Sequence, residues 1–165
     1  MRNSSMIHNS RFTIHGKFLW MVVAVVFAMG TAPGRTEVVE AVAKSVAGKV
    51  QWAKPGSANF EPLKAGEHLP VGSTIRTGAD GVATVLTVPG AAIRVESGSE
   101  LVLSELEFAK AEQKTTKRRA KLDLKSGTVS ALIQNNEPEV TSFEVKTPHG
   151  VAAARGTFYG VSVDK

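Results

Sequence analysis

From Gly48 to its end the chain is cut by glycine, proline, asparagine and aspartate into short extended runs at intervals of roughly 8 to 12 residues. Runs that short leave no room for helices of ordinary length, so the fold must be built from strands and tight turns. The expected architecture is all-β: a compact antiparallel sandwich or short β-helical roll of about ten short strands. Val50 and Trp52 make one run and Phe60 to Lys64 another, with a loop around Pro55 to Asn59 between them. Ile75 enters the sequence GADG, Gly78 to Gly81, and Val82 leaves it, the pattern of a hairpin loop in which Asp80 and Gly81 take positive φ. The run Val82 to Val88 is apolar on both faces, with Val82, Leu86 and Val88 on one and Ala83, Val85 and Thr87 on the other; it is expected to be central and covered on both sides. Ile93 and Val95, Leu101 and Leu103, and Leu122 and Leu124 alternate instead with charged or polar residues, the period of one-sided strands. Gly127 is expected to turn the chain before Val129, Ala131 and Ile133, and Asn135 to Pro138 to form a polar loop.

The stretch Phe143 to Val163, FEVKTPHGVAAARGTFYGVSV, concentrates the most restrictive local chemistry. Phe143, Val145 and Thr147 alternate with Glu144 and Lys146, and Pro148 removes a ladder donor and closes that strand. Small residues from Val151 to Ala154 follow, and Arg155, Gly156 and Thr157 lead into a strand carrying Thr157, Tyr159, Val161 and Val163 on one face. Gly156 is expected at a corner that a side chain would crowd. The corner reads as structural in preference to a ligand site, because turns of this composition are common in all-β cores.

The N-terminus has the three-part form of an export signal. A leader carrying Arg2, Arg11 and Lys17 precedes an apolar stretch from Phe18 to Met29, followed by the small residues Gly30, Thr31 and Ala32. A bilayer core needs about 20 apolar residues as a helix, so residues 1–30 are read as a cleaved signal peptide, with a short membrane anchor as the alternative. Residues 31–47 are read as a linker or short helix, since Val38, Val39, Val42 and Val46 fit a helical stripe. The formal charge of +5 falls to +2 once the three leader cations are removed, which gives no reason to expect a nucleic-acid partner. Cysteine is absent, which excludes disulfides, thiolate metal sites and a cysteine nucleophile.

One charge cluster stands out. Lys110 to Lys121, KAEQKTTKRRAK, sets six basic residues against the single acid Glu112 and is expected to be a solvated, mobile loop. Its functional reading is a patch for an anionic partner formed by Lys114, Lys117, Arg118, Arg119 and Lys121, although no aromatic residue is interleaved to stack on bases. No catalytic, cofactor-binding or metal-binding motif is found: beyond the leader only His68 and His149 remain, neither at metal-ligand spacing, and there is no phosphate loop or nucleophile elbow. Arg76, Arg94 and Arg155 lie beside turns, where a guanidinium could satisfy backbone carbonyls.

The order VGSTIRTGADGVATV, PGAAIRVESGSELVL, LDLKSGTV and FEVKTPHGVAAARGTFYGVSV resembles the FecR domain family over about Gly48 to Lys165. The resemblance places Ile75, Thr77 and Gly78 on the family's strand-to-turn motif, Thr147 and Pro148 on its Thr-Pro corner, and Arg155, Gly156 and Thr157 on its closing motif. Tyr159 stands where the family usually has Phe. Regulatory members of the family are single-span membrane proteins whose exported domain relays a signal from an outer-membrane transporter to a cytoplasmic sigma factor. Here only 17 residues precede the apolar segment, too few for a cytoplasmic sigma-binding domain, and the chain stops directly after a strand, as a truncated product or short variant would. The resemblance therefore implies an exported, non-enzymatic module, without cofactor, that binds an envelope protein or cell-wall component. The alternative is a membrane-anchored periplasmic component of a sigma-factor regulatory system acting through a separate cytoplasmic partner, with membrane contact only if the apolar segment is retained.

Overall fold

The computed structural model describes residues 36–134, 138–154 and 157–163, with the side chains of Thr157 and Phe158 excepted. The segment 1–30, the residues Arg155 and Gly156, and most of the polar loop at 135–138 lie outside the described residues. The strands, in order, are β1 (Glu37–Val38), β2 (Ala41–Ala47), β3 (Val50–Ala53), β4 (Glu61–Pro62), β5 (His68–Leu69), β6 (Thr74–Thr77), β7 (Val82–Val88), β8 (Ala91–Val95), β9 (Glu100–Ala111), β10 (Lys114–Ile133), β11 (Thr141–Thr147), β12 (Gly150–Ala154) and β13 (Thr157–Val163).

The protein is all-β, one sheet, antiparallel except where β11 meets β10, curled upon itself so that its two halves enclose the core. The first half has the order β4-β3-β6-β9-β10-β11-β12, with β1 along β9; the second has the order β5-β2-β7-β8-β10-β13. Strand β10 belongs to both. Its residues 114–126 pair with β9 and its residues 127–133 pair with β8 and β13. Ile75, Leu101, Leu103, Leu122 and Leu124 from the first half and Val85, Ile93, Val95, Val129 and Ala131 from the second are buried in one cluster. Each of the leucines, isoleucines and valines among them contributes roughly 1.5–3 kcal/mol by leaving water.

The two halves are joined by corners that lie against each other. Gly48 and Lys49 link β2 to β3, Gly78 to Gly81 link β6 to β7, and Ser97 and Gly98 lie between β8 and β9. The Gly78 N–H donates to the Lys49 carbonyl at 2.8 Å, and the Gly98 N–H donates to the Gly78 carbonyl at 3.0 Å. These corners fit only without side chains: a Cβ on Gly48 would collide with the Asp80 carbonyl, and one on Gly81 with the Lys49 carbonyl. Gly127 marks the same crossing inside β10, at a φ of 86°. A side chain there would run into Ser99.

Hydroxyl groups tie these crossings together. Thr77 Oγ1 donates to the Glu96 carbonyl at 2.6 Å and accepts the Ser99 N–H at 2.8 Å. Ser99 Oγ in turn donates to the Thr128 carbonyl at 3.1 Å and accepts the Thr128 N–H at 2.9 Å. Thr128 Oγ1 then lies 2.9 Å from Ser162 Oγ on β13. Thr77 and Ser99 are buried, so each bond replaces a partner that water cannot supply.

Several expectations are corrected. Residues 41–47 are a strand rather than a linker or helix, because Ala41 and Ala43 are wholly buried and the segment pairs with β5 and β7; pairing overrides the helical spacing of the valines. GADG is not a hairpin loop, since β6 and β7 belong to different halves, and neither Asp80 nor Gly81 has positive φ. Strand β7 is one-sided as far as Leu86, with Ala83 and Val85 buried and Val82, Thr84 and Leu86 half-buried; past the irregularity between Leu86 and Val88 both Thr87 and Val88 are buried. Gly127 bends a continuous strand of 20 residues instead of ending it, so the strands are not all short. They are also not all antiparallel, because β11 lies parallel to β10, with Arg118 opposite Thr141 and Asp123 opposite Lys146.

The largest correction concerns the basic run. Lys110 to Lys121 is no loop: it forms the end of β9, a two-residue turn and the first part of β10. Arg118 and Ala120 continue inward the alternation of Leu122 and Leu124, while Lys117, Arg119 and Lys121 point outward. The stretch at 143–163 is a hairpin, β11 to β12, followed by β13 in the other half. Tyr159 and Val161 pack against the core and Val163 is buried, the register expected of that face.

Two substitutions separate a buried seam hydroxyl from an exposed one. Ser99→Ala should cost about 1–3 kcal/mol in urea denaturation, because the Thr128 N–H and carbonyl lose their partner, whereas Thr128→Val should stay within about 0.5 kcal/mol. The β9–β10 turn supplies a second test. Glu112 and Gln113 have φ of 48° and 69°, a left-handed pair that Asn-Gly adopts without strain. Replacing them by Asn and Gly should raise stability by about 1 kcal/mol, read as a higher melting temperature.

Candidate functional site

The charges of the β9–β10 hairpin form a ladder across its outer face. Lys117 Nζ lies 2.6 Å from Glu107 Oε2, Arg119 Nη1 lies 3.2 Å from Glu105 Oε1, and Lys121 Nζ lies 2.9 Å from Glu105 Oε2. The register makes these contacts, because Arg119 stands opposite Glu107 and Lys121 opposite Glu105. The Lys121 hydrogen bond, together with Arg119, holds the Glu105 carboxyl below its ordinary range against the opposing effect of burial. Lys121 is correspondingly pushed up by Glu105.

The five residues read as an anionic-partner patch are therefore not one surface. Lys117, Arg119 and Lys121 already meet carboxylates. Arg118 turns inward and is only 7% exposed; its Nη1 donates to the Gln134 carbonyl and to Thr141 Oγ1, both at 3.3 Å. Only Lys114 remains at the hairpin tip, exposed. The sequence did carry a signal for this arrangement: Glu105 and Glu107 alternate before the turn at the same period as Lys117, Arg119 and Lys121 after it.

The motif residues are distributed as follows. Ile75 is buried in the core, and Thr77 and Gly78 stand at the corner seam. Thr147 and Pro148 belong to the β11–β12 turn, where Thr147 Oγ1 donates to the Gly150 carbonyl at 3.1 Å and accepts the His149 N–H at 3.2 Å. Thr157 opens β13, opposite Ile133, and Arg155 and Gly156 lie outside the described residues. Among the described residues Arg76 and Arg94 meet carboxylates in place of the expected carbonyls. Arg76 grips Glu100 at 2.9 Å and lies 4.1 Å over the Phe60 ring, and Arg94 pairs with Glu96 at 2.9 Å. His68 begins β5, with Nδ1 3.3 Å from Glu40 Oε2. Sequence reasoning missed Ser99 and Thr128, although each follows a corner glycine, Gly98 and Gly127.

Tyr159 packs edge-to-face on Phe143, with ring centroids 6.0 Å apart. Burial raises its hydroxyl well above the ordinary phenol range, and that hydroxyl has no hydrogen-bond partner among the described residues. A phenylalanine at this position would bury the same ring without the unpaired oxygen.

Glu105 also sets the acid behaviour of the ladder. Its carboxyl is ordinarily half-protonated at 4.5 and is held lower in the folded protein. Its contribution is therefore present above about pH 4.5 and is lost as pH falls through the folded value. Glu105→Gln should flatten the acid limb of stability: between about pH 5 and pH 3 its urea midpoint should fall less than that of the parent. A parallel fall in both proteins would show that the ladder does not couple to folding.

A model of the FecR protein family matches residues 73–165. No curated protein and no solved structure matches the chain. The match begins at Ser73, just before β6, and takes in Thr77, Gly78, Ser99 and Gly127, the residues that build the corner seam from β6 onward, together with the β9–β10 ladder. It covers more than half of the 165 residues and the larger part of both halves of the sheet. On that ground the chain belongs to the FecR protein family.

Proposed function

We propose that this chain is an exported, non-enzymatic FecR-like module of the cell envelope that binds an envelope protein or cell-wall component. The family match over residues 73–165 is the observation that carries this reading. The basic leader, the apolar stretch Phe18 to Met29 and the small residues after it support export. The paired charges and cross-strand bonds support a rigid binding surface, because ordered, partnered side chains lose little further freedom on association.

The second reading is a membrane-anchored periplasmic component of a sigma-factor regulatory system acting through a separate cytoplasmic partner. The length of the Phe18 to Met29 stretch, 12 apolar residues, favours cleavage over this anchor. Cell fractionation with intact-mass measurement tests both readings. The proposal expects a periplasmic product beginning near Thr31. A membrane-bound product that keeps Phe18 to Met29 would favour the anchored form, and a cytoplasmic product would overturn both.

A further inference from the structure

Strand β12 is the outermost strand on one side of the sheet. Past β10, away from β8 and β9, the second half ends with β13, whereas the first half continues through β11 to β12, whose other edge has no ladder partner among the described residues. That edge is open to solvent: Gly150, Val151 and Ala153 are exposed, Val151 to 62%. Proteins blunt such edges by brevity, proline, charge or a bulge. This molecule does so elsewhere, since β1, β4 and β5 are two residues each, β4 ends in Pro62, and the edge of β10 before Arg118 carries Lys114 and Lys117. Strand β12, GVAAA, is five residues long, has neither charge nor proline, and pairs with β11 without a register shift.

The register shows which groups this edge offers. The Arg118 N–H donates to the Val140 carbonyl, so the even-numbered residues of β11 turn their backbone groups to β10, and Phe143, Val145 and Thr147 turn theirs to β12. Their partners Ala154, Ala152 and Gly150 face back, which leaves the N–H and C=O of Val151 and Ala153 pointing outward. A second β12 laid antiparallel on this edge matches outward groups to outward groups only with the two-fold axis at Val151, Ala152 or Ala153. The axis at Ala152 uses all of them: Val151 pairs with Ala153 of the second copy and Ala153 with Val151, each pair exchanging two bonds.

Charge selects the same register. On the outer face Lys146 stands beside Val151, and Glu144 beside Ala153. With the axis at Ala152 each row across the contact reads Lys146, Val151, then Ala153 and Glu144 of the second copy. Opposite charges then stand about 14 Å apart at their Cα atoms, over a valine and an alanine shorter than the charged chains. An axis at Val151 would set Lys146 against Lys146, and one at Ala153 would set Glu144 against Glu144. The favoured rows also continue the alternation within the chain, where Lys121 lies opposite Glu144 and Asp123 opposite Lys146.

We propose that β12 is a strand-pairing edge for a second copy of this chain, antiparallel about Ala152, joining the first halves of two molecules into one continuous sheet. Five residues a side fall short of the roughly 20 to 30 of a standard interface, so the pairing is of the weak, transient class. It stands on the fold alone and does not depend on where the cell delivers the chain.

The chain has no cysteine, so single cysteines report the register. In the proposed pair the two Ala152 positions are directly opposite, with Cα atoms about 4.5 Å apart and within disulfide reach, whereas the two Ala153 positions are offset along the strands, about 8 Å apart and beyond it. Under copper-phenanthroline oxidation the purified Ala152→Cys chain should give a disulfide dimer. The Ala153→Cys chain, although its site is more exposed, should give no more than it does when unfolded in urea. Ala153→Pro added to Ala152→Cys removes an outward N–H but none that bonds β11, so cross-linking should drop to the urea level while the melting temperature holds. Lys146→Glu added to Ala152→Cys keeps every backbone bond and opposes like charges in both rows; it should slow cross-linking about threefold at low salt and leave it unchanged at high salt. Should Ala153→Pro lower the melting temperature, that salt-dependent effect decides. Equal cross-linking at 152 and 153, or cross-linking at 152 indifferent to these second substitutions, would overturn the proposal. So would cross-linking at 152 no greater than in urea, the result expected if the edge receives a strand of a different protein.

Discussion

The structure depends on the contact between backbone corners where the chain crosses from one half of the curled sheet to the other. A strand that leaves one half must turn sharply, and the corners of successive crossings lie closer than any side chain permits, as Gly48 against Asp80 and Gly127 against Ser99 show. Close approach exposes buried backbone groups that the regular ladder cannot pair. Thr77 and Ser99 supply the missing partners, each joining one crossing to the next. Apolar burial drives the two halves together but does not fix how they meet, because hydrophobic contact is non-directional. The glycines and hydroxyls at the seam fix it.

Strand β10 carries that geometry through the molecule. Inward positions are even-numbered from Arg118 to Leu124 and odd-numbered from Val129 to Ile133, so the bend at Gly127 shifts the phase by one residue. Without the shift the second segment would turn Val129, Ala131 and Ile133 to solvent. The same strand presents Lys117, Arg119 and Lys121 to Glu107 and Glu105 on β9. Fold and surface are coupled here: the register that buries Leu122 and Leu124 also sets Lys117, Arg119 and Lys121 against carboxylates.

The all-β class was legible because period-two alternation and turn residues are local signals, and Leu101, Leu103, Leu122 and Leu124 all took the faces their spacing predicts. What escaped depends on partners distant in sequence. Lys117 and Arg119 read as solvated loop residues until Glu105 and Glu107 are placed opposite them. Val42 and Val46 fit a helical stripe until β7 pairs with their strand. GADG has the composition of a hairpin, yet its role is set by Lys49, some thirty residues earlier, whose carbonyl it meets. Ser99 was illegible for a related reason: a serine after a glycine is ordinary turn chemistry unless another crossing lies against it.

Native-state amide hydrogen exchange tests the seam most directly, because it reads the free energy needed to open each backbone bond. If the stacked corners hold the halves together, the amides of Gly78, Gly98, Ser99 and Thr128, which bond across crossings, should exchange only through global unfolding, with the same free energy as core amides such as Leu103 and with a denaturant dependence to match. Exchange of those four amides through low-energy local opening, while Leu103 stays protected, would contradict the account and leave the apolar core as what holds the two halves in place.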